Sequence, residues 1–388
     1  MFALLRGALG ATCGVVTRRR APAVAAALAC LALLGCGPAA LPASTPVVSP
    51  TVVPGGSPPV FAYYYLWWGE SHWHDKLGPN YPYAAQPLPL PAKLDAGGCN
   101  AAPIYKGTQI TDVPAALSSQ DDPATILADV KAAAAGGLSG FIANWNGNGL
   151  ASQTVTRTSN RNNQRLDALF KAVDQVNSEG IPFKLWISYK ASANILPLDY
   201  ILGDFAYLAR KYGDDPAFDR RGGKPVVIWT GSRKYGLDTV KAVSAKFREK
   251  FFLIGDENWN SWGDGRADYF DGDAYYWSTQ SPYTNPSSFG NLQDLAKMVR
   301  SSVNPDGSQK LWFAPLAPGY NSELLRNGTC VPRNDGETLR RLFEGNSQSK
   351  PDAWAFISWN EVAEGTYVEP LQRWGNLYLG YLKALVSR

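Results

Sequence analysis

The chain is expected to fold as an α/β protein, a single (β/α)8 TIM barrel that follows a signal peptide and a short tether. Three observations point there. From residue 60 onward short apolar runs alternate with amphipathic stretches, the pattern of repeated βα units around a parallel sheet. There are eight such runs over about 330 residues, which suits one closed barrel with a few long loops. The first run leads into Tyr65-Leu-Trp-Trp-Gly-Glu70, not into the glycine-rich phosphate turn that a doubly wound nucleotide-binding sheet requires.

The strands, in order, are expected near residues 61–66 (FAYYYL), 139–145 (SGFIANW), 183–189 (FKLWISY), 225–230 (PVVIWT), 251–255 (FFLIG), 270–276 (FDGDAYY), 311–316 (LWFAPL) and 353–359 (AWAFISW). Each is a short run rich in β-branched and aromatic residues. Helical periodicity falls between them, at about 123–136, 164–179, 199–212, 237–250, 291–303 and 335–346, and a closing helix is expected at about 371–386. The interval between the fifth and sixth strands offers little helical periodicity.

Ahead of the barrel, residues 1–35 combine Arg18, Arg19 and Arg20 with an apolar run from Ala21 to Gly35. That is signal-peptide length, too short to span a bilayer comfortably. The run ends in Leu33-Leu34-Gly35-Cys36, which resembles a bacterial lipobox and implies lipidation of Cys36 and anchoring to the outer face of a membrane in the cell envelope. Secretion after cleavage elsewhere is the alternative. Residues 36–59 are rich in Pro, Ser, Thr and Val and carry no charge, so they read as an extended tether. Residues 60–388 form the barrel domain.

Composition narrows the function. The net charge of +4 comes from Arg6, Arg18, Arg19 and Arg20; from residue 58 onward basic and acidic residues balance. A nucleic-acid partner is therefore excluded, since its binding draws on surplus Lys and Arg. Cys13 and Cys30 leave with the signal and Cys36 takes the lipid. This leaves Cys99 and Cys330 either to form one disulfide in an oxidising compartment or to stay as buried thiols.

The abundant feature is aromatic: 13 Trp, 19 Tyr and 15 Phe. Chemistry in a barrel belongs at the C-terminal ends of the strands. Those ends carry Tyr64, Tyr65, Trp67 and Trp68; Asn144 and Trp145; Ser188 and Tyr189; Trp229; Asp256 and Glu257; Tyr276; Tyr320; and Trp359 with Asn360. Aromatic faces stack on sugar rings while amides and carboxylates bond their hydroxyls, so such a rim points to an oligo- or polysaccharide. Glycoside cleavage commonly uses two carboxyl groups. Glu361 and Glu364, just past the eighth strand, would share one face of a helical turn, and two close carboxyls separate in pKa so that one can stay protonated.

The same segment, Phe356-Ile-Ser-Trp-Asn-Glu-Val-Ala-Glu-Gly-Thr-Tyr-Val-Glu-Pro370, resembles the signature of glycoside hydrolase family 99, the endo-α-mannosidase-like barrels. Phe61-Ala-Tyr-Tyr-Tyr-Leu-Trp-Trp-Gly69 is similar to that family's opening strand. Ala314-Pro-Leu-Ala-Pro-Gly-Tyr320 and Arg333-Asn-Asp-Gly-Glu-Thr-Leu339 resemble its seventh strand and following helix. The resemblance implies a (β/α)8 hydrolase of an α-linked, mannan-like glycan. In it Glu361 would take the proton of the sugar 2-hydroxyl, which closes a 1,2-anhydro intermediate. Glu364 would act first as general acid and then as base, giving net retention. Tyr64, Trp67, Trp145, Tyr276 and Tyr320 would shape sugar subsites. No metal or organic cofactor is implied, and the chain is expected to act as a monomer. Val362 and Ala363 stand where the family has Trp and often His, and Leu66 where it has Pro, which leaves the glycan open. A glycan-binding barrel without turnover and a transglycosylase of surface polysaccharides are the rival readings.

The two histidines, His72 and His74, lie beside Asp75 on the first loop. Hydrogen bonding to sugar or loop order fits them better than metal ligation. No G-x-S-x-G elbow is present for a serine hydrolase.

Overall fold

The computed structural model describes residues 57–84, 98–148, 153–190, 195–325 and 328–387. The signal peptide, Cys36 and nearly all of the tether lie outside the described residues. Eight parallel strands form a closed ring. They are β1 (Val60–Tyr65), β2 (Gly140–Trp145), β3 (Lys184–Tyr189), β4 (Lys224–Trp229), β5 (Phe252–Gly255), β6 (Gly272–Asp273), β7 (Leu311–Leu316) and β8 (Ala353–Phe356). Closure is made by β8 on β1, in the register Val60↔Trp354.

The helices are α1 (Glu70–Leu77), α2 (Pro123–Ala135), α3 (Gln153–Ser178), α4 (Leu198–Tyr212), α5 (Leu237–Phe247), α6 (Trp259–Gly263), α7 (Ser288–Arg300), α8 (Glu337–Ser347) and α9 (Leu377–Val386). Their starts follow from local chemistry. Asp122 caps α2, its carboxylate accepting from Ala124 N at 2.9 Å, and Pro123 fits the first turn, where no N–H is needed. Between β5 and β6 the chain makes only α6 and a 3-10 turn at Arg266–Tyr269, which is why helical periodicity is thin there. Among the described residues no helix is long and apolar enough to cross a membrane.

Strand alternation sorts the aromatics into two layers. Along β1, Phe61, Tyr63 and Tyr65 point into the barrel, while Val60, Ala62 and Tyr64 point out beneath the helices. Inside, Phe61 stacks on Trp186 with ring centroids 3.8 Å apart, and Trp186 stacks on Phe313 at 4.5 Å. These rings close the lower barrel. Gly140 makes room for them, since a β-carbon there would lie 2.1 Å from Lys184 O and 2.5 Å from the Phe61 ring. Outside, Trp145, Trp229, Trp312, Trp354 and Trp359 fill the space between strands and helices. Much of the aromatic excess is thus structural.

A third cluster lies over the rim. Trp68, Trp73, Leu77 and Tyr81 from the first connection pack with Val362, Ala363, Tyr367 and Leu371 from the last. It seats the first loop on the segment after β8.

Candidate active site

After Phe356 the chain turns over the barrel mouth in a web of short-range bonds. Ser358 Oγ accepts from Glu361 N at 2.9 Å, Ser358 N donates to Thr366 O at 2.9 Å, and Thr366 N donates to Glu361 O at 3.2 Å. Glu361 and Glu364 therefore sit in hydrogen-bonded turns and not on the expected helical turn. Gly365 closes the loop at φ +61°, where a β-carbon would be 3.2 Å from Asn321, a conformation and a gap that favour glycine. Asn321 N in turn donates to Glu364 O at 2.8 Å. The loop holds both carboxylates with main-chain bonds on either side.

Their electrostatics follow from burial. Glu361 is 5% exposed; loss of solvent, then the charge of Glu364, pushes its pKa up to about 8, while Lys190 and Lys76 pull the other way. Glu364 is also raised by burial and lowered by Lys190. Two carboxyls that feel one another in a dry site hold a shared proton through neutral pH. Three tyrosines feel the pair's charge. Tyr65 and Tyr276, whose hydroxyls are 2.7 Å apart, and Tyr320 are all raised, chiefly by burial. Trp67 lies beside them, its ring 4.5 Å from Tyr65.

A cavity of about 200 Å³ opens next to this group, lined by Tyr63, Tyr65, Asn144, Ser188, Lys190, Thr230, Arg233, Asp256 and Tyr276 among others. Asn144 is buried with neither amide atom bonded, and the Tyr63 hydroxyl is likewise unpaired. Asp256 is fully engaged: it pairs with Arg233 and accepts from Gly231 N at 2.7 Å and Tyr276 N at 3.1 Å. Glu257 turns away, accepting from Ser232 Oγ at 2.5 Å.

The structure thus brings together Glu361, Glu364, Trp67, Asn144, Asp256, Tyr276 and Tyr320. It does not bring Tyr64, Trp145 or Trp359 to the cavity. All three point outward and are buried under the helices, with Tyr64 OH donating to Asp129 at 2.7 Å and Trp145 Nε1 to Asn163 at 2.7 Å. Strand parity is the reason, and the inward neighbours Tyr63 and Tyr65 take their place. Asn360 spends its amide on the Tyr65 main chain. Lys190, Arg233 and Thr230, on the loops after β3 and β4, were not among the expected site residues. Lys190 and Thr230 follow directly on Tyr189 and Trp229, and Arg233 comes three residues after Thr230, so reading up to four positions past each strand end would have found them.

His72 and His74 diverge. His72 is half-buried against Trp68 at 4.6 Å, and desolvation lowers its pKa to about 4, whereas His74 lies against Tyr83 at 4.1 Å. Cys99 and Cys330 form a disulfide, Cα–Cα 5.7 Å. Cys330 pairs with Asn321 in a two-residue ladder, which links the bridge to the Glu364 main chain.

Fold and site together define a (β/α)8 barrel with a carboxylate pair on its C-terminal rim, beside a cavity lined by tyrosines and Asn144. No protein-family model matches the sequence, and no functionally curated protein matches it. The structure is similar to that of the glycoside hydrolase family 99 endo-alpha-mannosidase from Bacteroides thetaiotaomicron, with a TM-score of 0.61, 17% identity, and coverage of 84% of this chain and 95% of that one. It is also similar to a glycoside hydrolase-like protein, with a TM-score of 0.58, 12% identity, and coverage of 89% and 97%. These likenesses establish the shared barrel fold.

Proposed function

We propose that the protein is a retaining glycoside hydrolase acting on an α-linked, mannan-like glycan, with Glu361 and Glu364 as its catalytic pair. One observation carries the reading: a buried carboxyl, Glu361, and a half-buried one, Glu364, three residues apart on one loop, both have raised proton affinity, and Tyr65, Tyr276 and Lys190, which feel or oppose their charge, line a cavity of about 200 Å³. The structural likeness to an endo-alpha-mannosidase supports the substrate class.

In this reading the sugar packs against Tyr65, Tyr276 and Trp67. Glu361, in its ionised form, accepts the 2-hydroxyl proton as that oxygen closes on the anomeric carbon. Glu364 gives its proton to the departing glycosidic oxygen. It then takes a proton from the water that attacks the anomeric carbon, while Glu361 returns its proton to O2 as the anhydro ring opens, so the configuration is retained and both carboxyls return to their starting state. Tyr65 and Tyr276 line the pair with hydroxyl donors, and Lys190 limits how far both pKa values climb. The protein is exported and anchored through lipid on Cys36; the Cys99–Cys330 disulfide supports an oxidising compartment.

The test is incubation of the protein with a panel of α-mannans and other glycans beside Glu364→Gln, products being read by mass spectrometry. Fragments made only by the parent protein are expected. Equal binding by both forms without product would replace the enzyme by a glycan-binding barrel, and longer products would indicate a transglycosylase. Loss of Cys36 should release the protein from the membrane fraction.

A further inference from the structure

The cavity beside the carboxylate pair has an unusual charge. Its lining includes three cations, Lys190, Arg233 and Lys234, and one carboxylate, Asp256. Asp256 is consumed internally, since one oxygen pairs with Arg233 and accepts from Tyr276 N while the other accepts from Gly231 N. Arg233 is thereby neutralised and also sits over the Tyr275 ring at 5.4 Å. Lys190 and Lys234 have no ion-pair partner among the described residues and are exposed to the cavity mouth.

A pocket for a neutral sugar commonly meets hydroxyls with carboxylates and amides. Here the sole carboxylate of the lining is already taken, and two unpaired ammonium groups remain. A second, independent observation points to a ligand in the same place. Asn144 is 2% exposed, yet neither its carbonyl nor its amine is bonded, and the Tyr63 hydroxyl at the same cavity is buried and unpaired. Buried polar groups are nearly always satisfied, and these two face the space a ligand would fill.

We propose that this cavity receives a negatively charged sugar residue of the glycan, its charge a uronate carboxylate or a phosphate ester. Lys190 and Lys234 hold the anionic group, and Asn144 and Tyr63 bond ring hydroxyls. The inference rests on the glycan reading of the site and narrows its substrate to an acidic polysaccharide. The charge of Lys190 also reaches Glu361 and Glu364, so the acidic residue lies next to the bond being cleaved. Binding it would partly neutralise Lys190 and raise the proton affinity of the pair, favouring the protonated acid that cleavage needs.

The experiment measures binding by calorimetry in the full chain carrying Glu364→Gln, which separates affinity from turnover. Three oligosaccharides of equal length are compared: neutral α-mannoside, the same with a terminal hexuronate, and the same with a terminal 6-phosphate. The expected result is that one acidic ligand binds about ten-fold or more tighter than the neutral one, a gap that shrinks with added salt. Which of the two it is distinguishes uronate from phosphate. The preference should be lost in Lys190→Gln/Lys234→Gln. Lys234→Glu, at an exposed position the fold tolerates, should weaken acidic ligands while sparing the neutral one. Equal or tighter binding of the neutral ligand, independent of salt, overturns the proposal. Cleavage of neutral mannan without charge preference would remove this inference and leave the hydrolase standing. Tight binding of an acidic ligand with no turnover of any glycan by the parent protein would do the reverse.

Discussion

Asn360 is hydrogen-bonded to both main-chain groups of Tyr65, its Oδ1 accepting from Tyr65 N at 2.8 Å and its Nδ2 donating to Tyr65 O at 3.1 Å. The β1–β8 register ends at Ala62↔Phe356, so this side chain continues the closing seam of the barrel where strand pairing has stopped. It also fixes the distance between Glu361, the next residue in the chain, and the Tyr65–Tyr276 hydroxyl pair.

Asn360→Ala should therefore cost both stability and rate. Tyr65 O keeps a bond from Gln120 Nε2 at 2.9 Å, but Tyr65 N is left buried and unpaired, a loss of about 1–3 kcal/mol. Misplacing the loop by a fraction of an ångström should lower kcat by up to about 100-fold with a smaller change in KM. Denaturant titration and steady-state kinetics check the two parts. Unchanged kcat would mean that Asn360 only holds the seam.

The pH profile should be bell-shaped. Work requires one proton on the Glu361–Glu364 pair, held by Glu364 while Glu361 is ionised; the rate falls as pH drops far enough to protonate both, and falls again as pH rises through about 8, where the interacting pair gives up its last proton. Lys190 lowers both carboxyls, so Lys190→Gln should move both limbs of kcat upward in pH. A limb that moves down would contradict the placement of Lys190 beside the pair.

Much of the barrel is legible in the residues, because strand length and apolar periodicity are local. The limits are local too. The helix α6 between β5 and β6 is only five residues long, and α1 is mostly polar with only Trp73 and Leu77 buried, so neither stands out as a regular element. The carboxylate pair is visible from its place after the eighth strand. The aromatic subsites are only half visible, since Tyr63, Tyr64 and Tyr65 are the same residue type and only pairing with β2 and β8 decides which of them face inward. Val362 and Ala363 read as gaps in a sugar-binding wall, but their side chains are covered by Trp68, Trp73 and Tyr81. What replaces a wall there is the packing of the first loop.

Opening the Cys99–Cys330 bridge should be felt at Glu364. Cys330 pairs with Asn321, and Asn321 N donates to Glu364 O at 2.8 Å. The bridge spans 231 residues of sequence, and chain-entropy models give loops of this order a stabilisation of about 5 kcal/mol. Cys330→Ser should lower Tm and reduce kcat, and the parent protein should gain the mass of two protons on reduction. Full activity with a lowered Tm would uncouple the bridge from the site.

Stability should fall as pH rises from 6.5 to 8, opposite to the behaviour of a protein held by surface carboxylate pairs. Burial raises Glu361 to about 8 and also raises the Asp129–Glu369 pair. In the unfolded chain these groups ionise near pH 4. The folded state thus holds protons that the unfolded state has released, and stability declines with pH until the folded pKa is passed. The window is set by two groups of opposite effect. His72, lowered to about 4 from an ordinary 6.5, adds stability with rising pH only below 6.5. Lys310, lowered to about 8 by burial and by Arg248, does so only above 8. Between these limits Tm should drop by several degrees. Asp129→Asn, which still accepts from Tyr64 OH, should flatten the decline. A Tm that rises across this window would show that the buried acids enter the folded state ionised, and with it the shared proton of the Glu361–Glu364 pair would be lost as well.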